Sequence, residues 1–173
     1  MMPPEPNPRE TSLFELLRAH DITHETHEHA PIFTVEDGQA IKTSMRGGHT
    51  KNLFLKDKAG AFVLICALGT TTIRLNRLHA ALGTKRLSFA NQEALWAKLG
   101  VRPGSVTLFS LINDTDHNVR LILDKALFEY DRVWFHPLRN TASTAITPQD
   151  MARFAAATGH TPTLIDFKAA AEK

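Results

Sequence analysis

The sequence predicts a single α+β domain with a mixed, largely antiparallel sheet and helices around it. Three observations carry this. Two strand-like runs, KNLFLK (residues 51–56) and AFVLICAL (61–68), flank the short turn DKAG, which is the pattern of an antiparallel hairpin. Apolar residues at helical spacing recur in separate blocks before and after that hairpin. Nothing in the 173 residues divides the chain: there is no internal repeat, no low-complexity linker and no alternation of βαβ units. A chain of this length buries roughly 70% of the surface its unfolded form exposes, so it holds a core without staples.

In chain order, MMPPEPNPRE (residues 1–10) reads as a flexible leader and residues 11–173 as the domain. TSLFELLRAHD places Leu13, Leu16 and Leu17 at helical spacing behind Thr11 or Ser12 as cap. ITHETHEH reads as extended, and HAPIFTVEDG as a turn into a short helix near Thr34. Beyond the hairpin, TTIRLNRLHAALG carries Ile73, Leu78 and Leu82 and closes on a glycine, the stop expected of a helix. NQEALWAKLG predicts another helix, with Leu95, Trp96 and Leu99 on its buried side. SVTLFSLI and NVRLILD read as strands about the turn NDTDH, and RVWFHPL and STAI as further short extended pieces. TPQDMARFAAA predicts a final helix with Thr147 as cap, Pro148 in the first position and Gly159 beyond its end.

Composition removes several classes of function. Twenty Lys and Arg against eighteen Asp and Glu give a net charge of +2, too balanced to coat a long duplex yet compatible with a few phosphate contacts. The lone Cys66 excludes an intrachain disulfide framework, and it lies in FVLICAL as a small core residue. No run reaches the eighteen apolar residues of a membrane span, and the N-terminus has no apolar signal core, so a cytoplasmic protein is expected. His20, His24, His27 and His29 come without a cysteine pair or HExxH, so no metal site is expected. GxSxG and the P-loop pattern are both missing, which argues against a serine hydrolase and a nucleotide triphosphatase.

Three segments hold candidate chemistry. In MRGGHTKNLFLKD, Gly47 and Gly48 allow close backbone approach ahead of Lys51 and Asn52. Lys51 reads either as a solvated edge lysine or as a cation holding an anionic substrate. In FHPLRNTAST, proline fixes a loop beside His136, which can bond a ligand or steer a proton; a rigid turn satisfying its own backbone is the alternative. In VRPGSVTLF, Gly104 and Ser105 read equally as pocket lining and as an ordinary β-turn.

Taken together, GGHTKNLFLKDKAG, LGTKRLSFANQEALWAKLGVRPGSVTLF, LILDKAL and FHPLRNTAST resemble the YbaK/prolyl-tRNA-synthetase-associated editing domain family over roughly residues 11 to 167. Their order and wording look most like the free-standing bacterial deacylases of alanyl-tRNA(Pro). The resemblance implies a YbaK-like fold, an editing domain over residues 11–173 and hydrolysis of a mischarged aminoacyl ester without a cofactor. It implies Lys51, Asn52 and His136 as catalytic residues, with Gly104 and Ser105 near the aminoacyl end and Asn140 and Thr141 closing the same pattern. Implied partners are the acceptor end of tRNA(Pro) and either prolyl-tRNA synthetase or elongation factor, with no membrane and a monomeric state.

Alanine selection on this reading needs a small pocket, for which Ile32, Phe33, Met45 and Leu108 are wall candidates, each equally a core residue. Arg46, Lys51, Lys56 and Lys58 are candidates for phosphate contacts, the last two reading otherwise as solvation of the hairpin turn. One departure bears on specificity. Leu108 stands where related sequences commonly carry proline in GSVTPF, so a fixed φ is lost from that wall. Seryl, cysteinyl or threonyl esters, and a non-catalytic tRNA- or synthetase-binding module, are the competing expectations.

Overall fold

The computed structural model describes residues 8–31 and 45–171. Its strands are β1 (Glu25–Glu28), β2 (Gly48–Asp57), β3 (Phe62–Leu68), β4 (Leu87–Phe89), β5 (Val119–Asp124), β6 (Val133–Phe135), β7 (Ala142–Ile146) and β8 (Thr163–Ile165). They form one sheet in the order β1-β7-β6-β2-β3-β5-β8, with β4 paired to β2 off this path. The sheet is mixed: β2 runs antiparallel to β3 and β4, while β6 beside β2, β5 beside β3 and β8 beside β5 run parallel.

The hairpin forms as the sequence predicts, in unbroken register from Thr50 opposite Leu68 to Lys56 opposite Phe62. Successive side chains therefore alternate between the two faces of the sheet. Phe54, Leu64, Cys66, Leu121 and Leu123 enter the larger core, under Leu13 and Leu17 of the helix Pro8–Ala19, Leu95 and Leu99 of the helix Gln92–Leu99, and Phe154 of the helix Pro148–Ala157. Leu55, Val63, Ile65 and Ala67 face the other way, onto Leu78 and Leu82 of the helix Leu75–Leu82 and onto Phe167. Cys66 is buried as a core residue, and burial pushes its thiol pKa up, so it stays a neutral thiol.

Four expectations are corrected. The first helix starts at Pro8, and Glu10, which the leader reading left in a flexible tail, is buried. SVTLFSLI is not a strand: residues Leu108–Asn113 form a 3-10 helix whose start is capped by Thr107, its hydroxyl accepting from the Phe109 N–H. Trp96 is 46% exposed, because Leu95 and Leu99 are one turn apart on the buried face and Trp96 lies about 100° round from Leu95. The helix Pro148–Ala157 has the expected Thr147 cap, but a short helix, Phe167–Ala171, follows it. The helix expected near Thr34 lies outside the described residues. No helix among the described residues is long and apolar enough to cross a membrane.

Candidate functional site

The edge of β2 away from β3 is shared. β6 pairs there with Gly48 and His49, and β4 with residues 55–57. Between them, no described strand pairs with residues 51–54 on that edge. Even-numbered residues turn their backbone groups this way: the Gly48 N–H donates to the Arg132 carbonyl at 2.9 Å, and the Phe54 carbonyl accepts from the Ala90 N–H at 3.0 Å. The same alternation aims the N–H and C=O of Asn52 into the gap. A cavity of about 180 Å³ opens here, lined by Thr50, Lys51, Asn52, Gly104, Val106 and His136.

His136 stands at the end of β6, and its imidazole is oriented by one bond. Nδ1 lies 2.9 Å from the Ala142 carbonyl oxygen, which can only accept, so Nδ1 carries the hydrogen. Nε2 then presents a lone pair, with no hydrogen-bond partner among the described residues. Burial lowers the ring's pKa below its ordinary 6.5, and the nearby His29 lowers it further, keeping His136 neutral at neutral pH. The His29 ring lies 6.3 Å away, where its Nε2 is hydrogen-bonded with the Ser143 hydroxyl at 2.8 Å.

The loop after His136 is held by Arg139. Its Nε lies 3.0 Å from the Glu10 carboxylate, its terminal nitrogens reach Glu28 at 2.7 and 2.5 Å, and one of them also reaches the Thr141 hydroxyl at 2.8 Å. These contacts tie the first helix and β1 to the HPLRNT loop, and the bonds to Glu28 raise the Arg139 pKa most. Leu138, buried between His136 and Arg139, takes φ +70°. That left-handed backbone costs a non-glycine residue about 1–2 kcal/mol, which the surrounding contacts must offset.

Asn52 and Thr50 share a face. The Thr50 hydroxyl donates to the Trp134 carbonyl at 2.6 Å and accepts from the Asn52 Nδ2 at 3.1 Å. That leaves Asn52 Oδ1 buried with no partner among the described residues. Lys51 belongs to the opposite face. It lines the cavity, but its ammonium donates to the Thr71 carbonyl. Gly104 has φ +90° in a turn closed by the Ser105 N–H on the Arg102 carbonyl at 3.0 Å; Pro103 precedes it, as a type II turn favours. A Cβ there would lie 3.5 Å from the Asn140 side-chain nitrogen, which places Asn140 beside the cavity mouth.

The other expected residues divide. Ser105 is buried behind the Gly104 turn, and Thr141 is engaged by Arg139. Leu108 is fully buried in the main core and does not line the cavity, while Val106 does. Met45 packs with Trp134 and Ala145 and does not line the cavity. Ile32 and Phe33 lie outside the described residues. Lys56 and Lys58 are exposed toward the hairpin tip, and Lys58 is seven residues along from Lys51, about 23 Å at strand rise, so they do not join Lys51 in one patch. The Arg46 side chain is exposed, and its carbonyl accepts from the Trp134 indole at 2.8 Å. Val106 and Arg139 were missed, although they lie within the quoted segments VRPGSVTLF and FHPLRNTAST. No group of three potential metal ligands occurs among the described residues.

A larger hollow of about 680 Å³, lined in part by Thr71, Arg74, Asp124, Lys125, Glu129 and Lys168, is less suited to chemistry. Its buried acid, Asp124, is already engaged by the Leu68 and Ala126 N–H groups and the Thr71 hydroxyl.

A family model, the aminoacyl-tRNA editing domain, matches residues 29–154, which include all six cavity residues. The chain belongs to the aminoacyl-tRNA editing domain family. It is a tRNA-editing deacylase domain of the YbaK/ProX type. The chain is 38% identical to a Mus musculus protein named prolyl-tRNA synthetase associated domain-containing protein 1, over 90% of this chain and 94% of that one. It is 32% identical to the prolyl-tRNA editing protein ProX of Acetoanaerobium sticklandii, over 78% and 82%. A crystal structure of a candidate trans-editing enzyme for prolyl tRNA synthetase superposes with TM-score 0.69 at 20% identity, covering 94% of this chain and 98% of that one, which shows the common fold. The editing fold here is the mixed sheet that the sequence predicts.

Proposed function

We propose that this editing domain hydrolyses the ester of alanyl-tRNA(Pro), releasing alanine and reusable tRNA(Pro). The observation that carries the reading is the neutral His136, fixed by Ala142, beside a cavity of about 180 Å³ that Gly104 leaves open. Drug-sized ligand sites occupy ~300–1,000 Å³, so this one suits a small aminoacyl group and a water, with the nucleotide outside. The names of the relatives, associated with prolyl-tRNA synthetase and prolyl-tRNA editing, support tRNA(Pro) as the carrier and the synthetase as a partner.

An aminoacyl ester is already activated, so no covalent nucleophile is needed. Water attacks the carbonyl carbon while His136 Nε2 accepts its proton, directly or through a ribose hydroxyl. The ester C–O bond breaks, and that proton passes to the departing ribose oxygen. The Asn52 N–H in the sheet gap is placed to stabilise the developing oxyanion. Lys51, on its flexible stem, exchanges the Thr71 carbonyl for the phosphate of the terminal nucleotide. Gly104 and Val106 shape the wall that limits side-chain size, with Asn140 at the rim.

A second reading has its own support. Thr50, Asn52 and His136 put polar groups into the lining, which suits a small hydroxyl- or thiol-bearing side chain, so seryl, cysteinyl or threonyl esters compete. Initial deacylation rates on tRNA(Pro) carrying alanine, proline, serine or cysteine, with Lys51→Ala as control, test both. Fast, Lys51-dependent loss of alanine with proline spared is the expected result. Preference for serine or cysteine moves the specificity, and turnover of none by a protein that binds tRNA leaves a binding module.

A further inference from the structure

Trp96 is the large aromatic that the helix Gln92–Leu99 turns outward, and two arginines attend it. The Arg102 guanidinium carbon lies over the Trp96 ring, 4.2 Å from its centroid and within cation–π range, and that of Arg9 lies 5.6 Å away. Arg102 is exposed, and no carboxylate pairs with it among the described residues. It is also the first residue of the turn whose third residue, Gly104, lines the catalytic cavity. Arg102 and Gly104 thus belong to one tight turn, and the backbone that carries the platform arginine continues directly into the cavity wall. Farther along, Lys98 and Lys56 lie 5.5 and 5.7 Å from the ring of Phe62. Glu93 is the one acid of the helix that carries Trp96.

A flat guanidinium on an indole has a defined chemistry. The ring holds the fork in one plane at little entropic cost, with its N–H donors directed outward along that plane. Phosphates bond to the fork, and the uncovered face of the guanidinium or indole accepts an unstacked base. Positive charge, an exposed aromatic and continuity with the cavity mouth favour one kind of partner. We propose that the Arg102–Trp96 pair, with Arg9 beside it, holds the single-stranded end of the RNA as its aminoacyl group enters the cavity. The inference rests on the editing reading of that cavity. Arg102 binds the RNA, and Trp96 acts as its positioning residue.

The test compares two alanyl esters, full alanyl-tRNA(Pro) and 2′(3′)-O-alanyl-adenosine, using Arg102→Gln, Trp96→Ala and, as a charge control, Arg77→Gln. Arg77 is exposed on the helix Leu75–Leu82, which covers the other face of the sheet. For Arg102→Gln and Trp96→Ala, KM for the full RNA should rise about tenfold with kcat within about twofold, while turnover of alanyl-adenosine stays unchanged. Loss of one phosphate contact should also make the salt dependence of RNA affinity shallower by about 0.7 in log–log slope for Arg102→Gln. Equal losses on both esters, or Arg102→Gln no worse than Arg77→Gln, overturn the proposal. If the wild-type protein cleaves neither ester, titration with uncharged tRNA(Pro) separates the two ideas. Affinity lost in Arg102→Gln and Trp96→Ala keeps the platform while the editing reading falls; affinity unchanged, or no binding at all, removes the platform.

Discussion

The Nδ1–H of His136 donates to the Ala142 carbonyl across 2.9 Å, so the strand after the HPLRNT loop sets the tautomer of the histidine before it. The neutral ring is the form that accepts a proton. Because burial lowers the pKa below 6.5, the deacylation rate should be flat through neutrality and fall only as pH drops through a midpoint below 6.5. The stability sign agrees. The unfolded ring takes a proton near 6.5 and the buried ring takes it later, so stability is full above 6.5 and is lost as pH falls below it. His136→Gln should remove the limb and cost about 10²-fold in kcat. A midpoint above 6.5 would contradict the assignment.

Asn52 offers a separation of stability from activity. Its Oδ1 is buried without a partner among the described residues, a cost the fold bears for little return of its own. Asn52→Ala should therefore change thermal stability by no more than about 1 kcal/mol while lowering kcat by about tenfold through loss of the side chain that lines the cavity, the main-chain N–H donor being retained. Denaturation curves and single-turnover rates on one preparation check it. A large loss of stability with unchanged turnover would make Asn52 a structural residue.

Removing the Arg139 guanidinium leaves the buried Glu10 carboxylate without its cation and frees the loop beside His136. Arg139→Ala should destabilise by about 3 kcal/mol. Arg139→Lys should recover only part of this, because one ammonium cannot reach Glu10, Glu28 and Thr141 together. Urea unfolding of the two variants distinguishes a fork from a point charge.

Gly104→Ala tests the wall. Its φ of +90° strains any side chain, so about 1–2 kcal/mol of stability should be lost. The added methyl sits 3.5 Å from Asn140 at the cavity mouth, so KM for the aminoacyl ester should rise as well. Steady-state kinetics beside a melting curve report both.

Much of this was legible in the sequence because local pattern and tertiary outcome agreed. The hairpin has alternation and a turn, Thr147-Pro148 has cap chemistry, and the family resemblance carried by GGHTK, RPGS and HPLRNT pointed to Lys51, Asn52, Gly104 and His136, which line one cavity. The failures have physical causes. A short apolar run such as VTLFSLI fits a strand or a buried helical turn equally, and the Thr107 cap decides it. Trp96 misleads because apolarity predicts burial only one way. Arg139 and Val106 act through contacts far apart in sequence, so no spacing announces them.

The break in strand pairing along β2 has an evolutionary corollary. A donor supplied by the main chain of Asn52 belongs to the fold and survives most replacements of the side chain that carries it. Relatives built on this sheet can thus inherit their chemistry intact while Val106, Gly104 and the rim drift from one amino acid to another. On the proposed chemistry, substrate choice would then change more readily than ester hydrolysis.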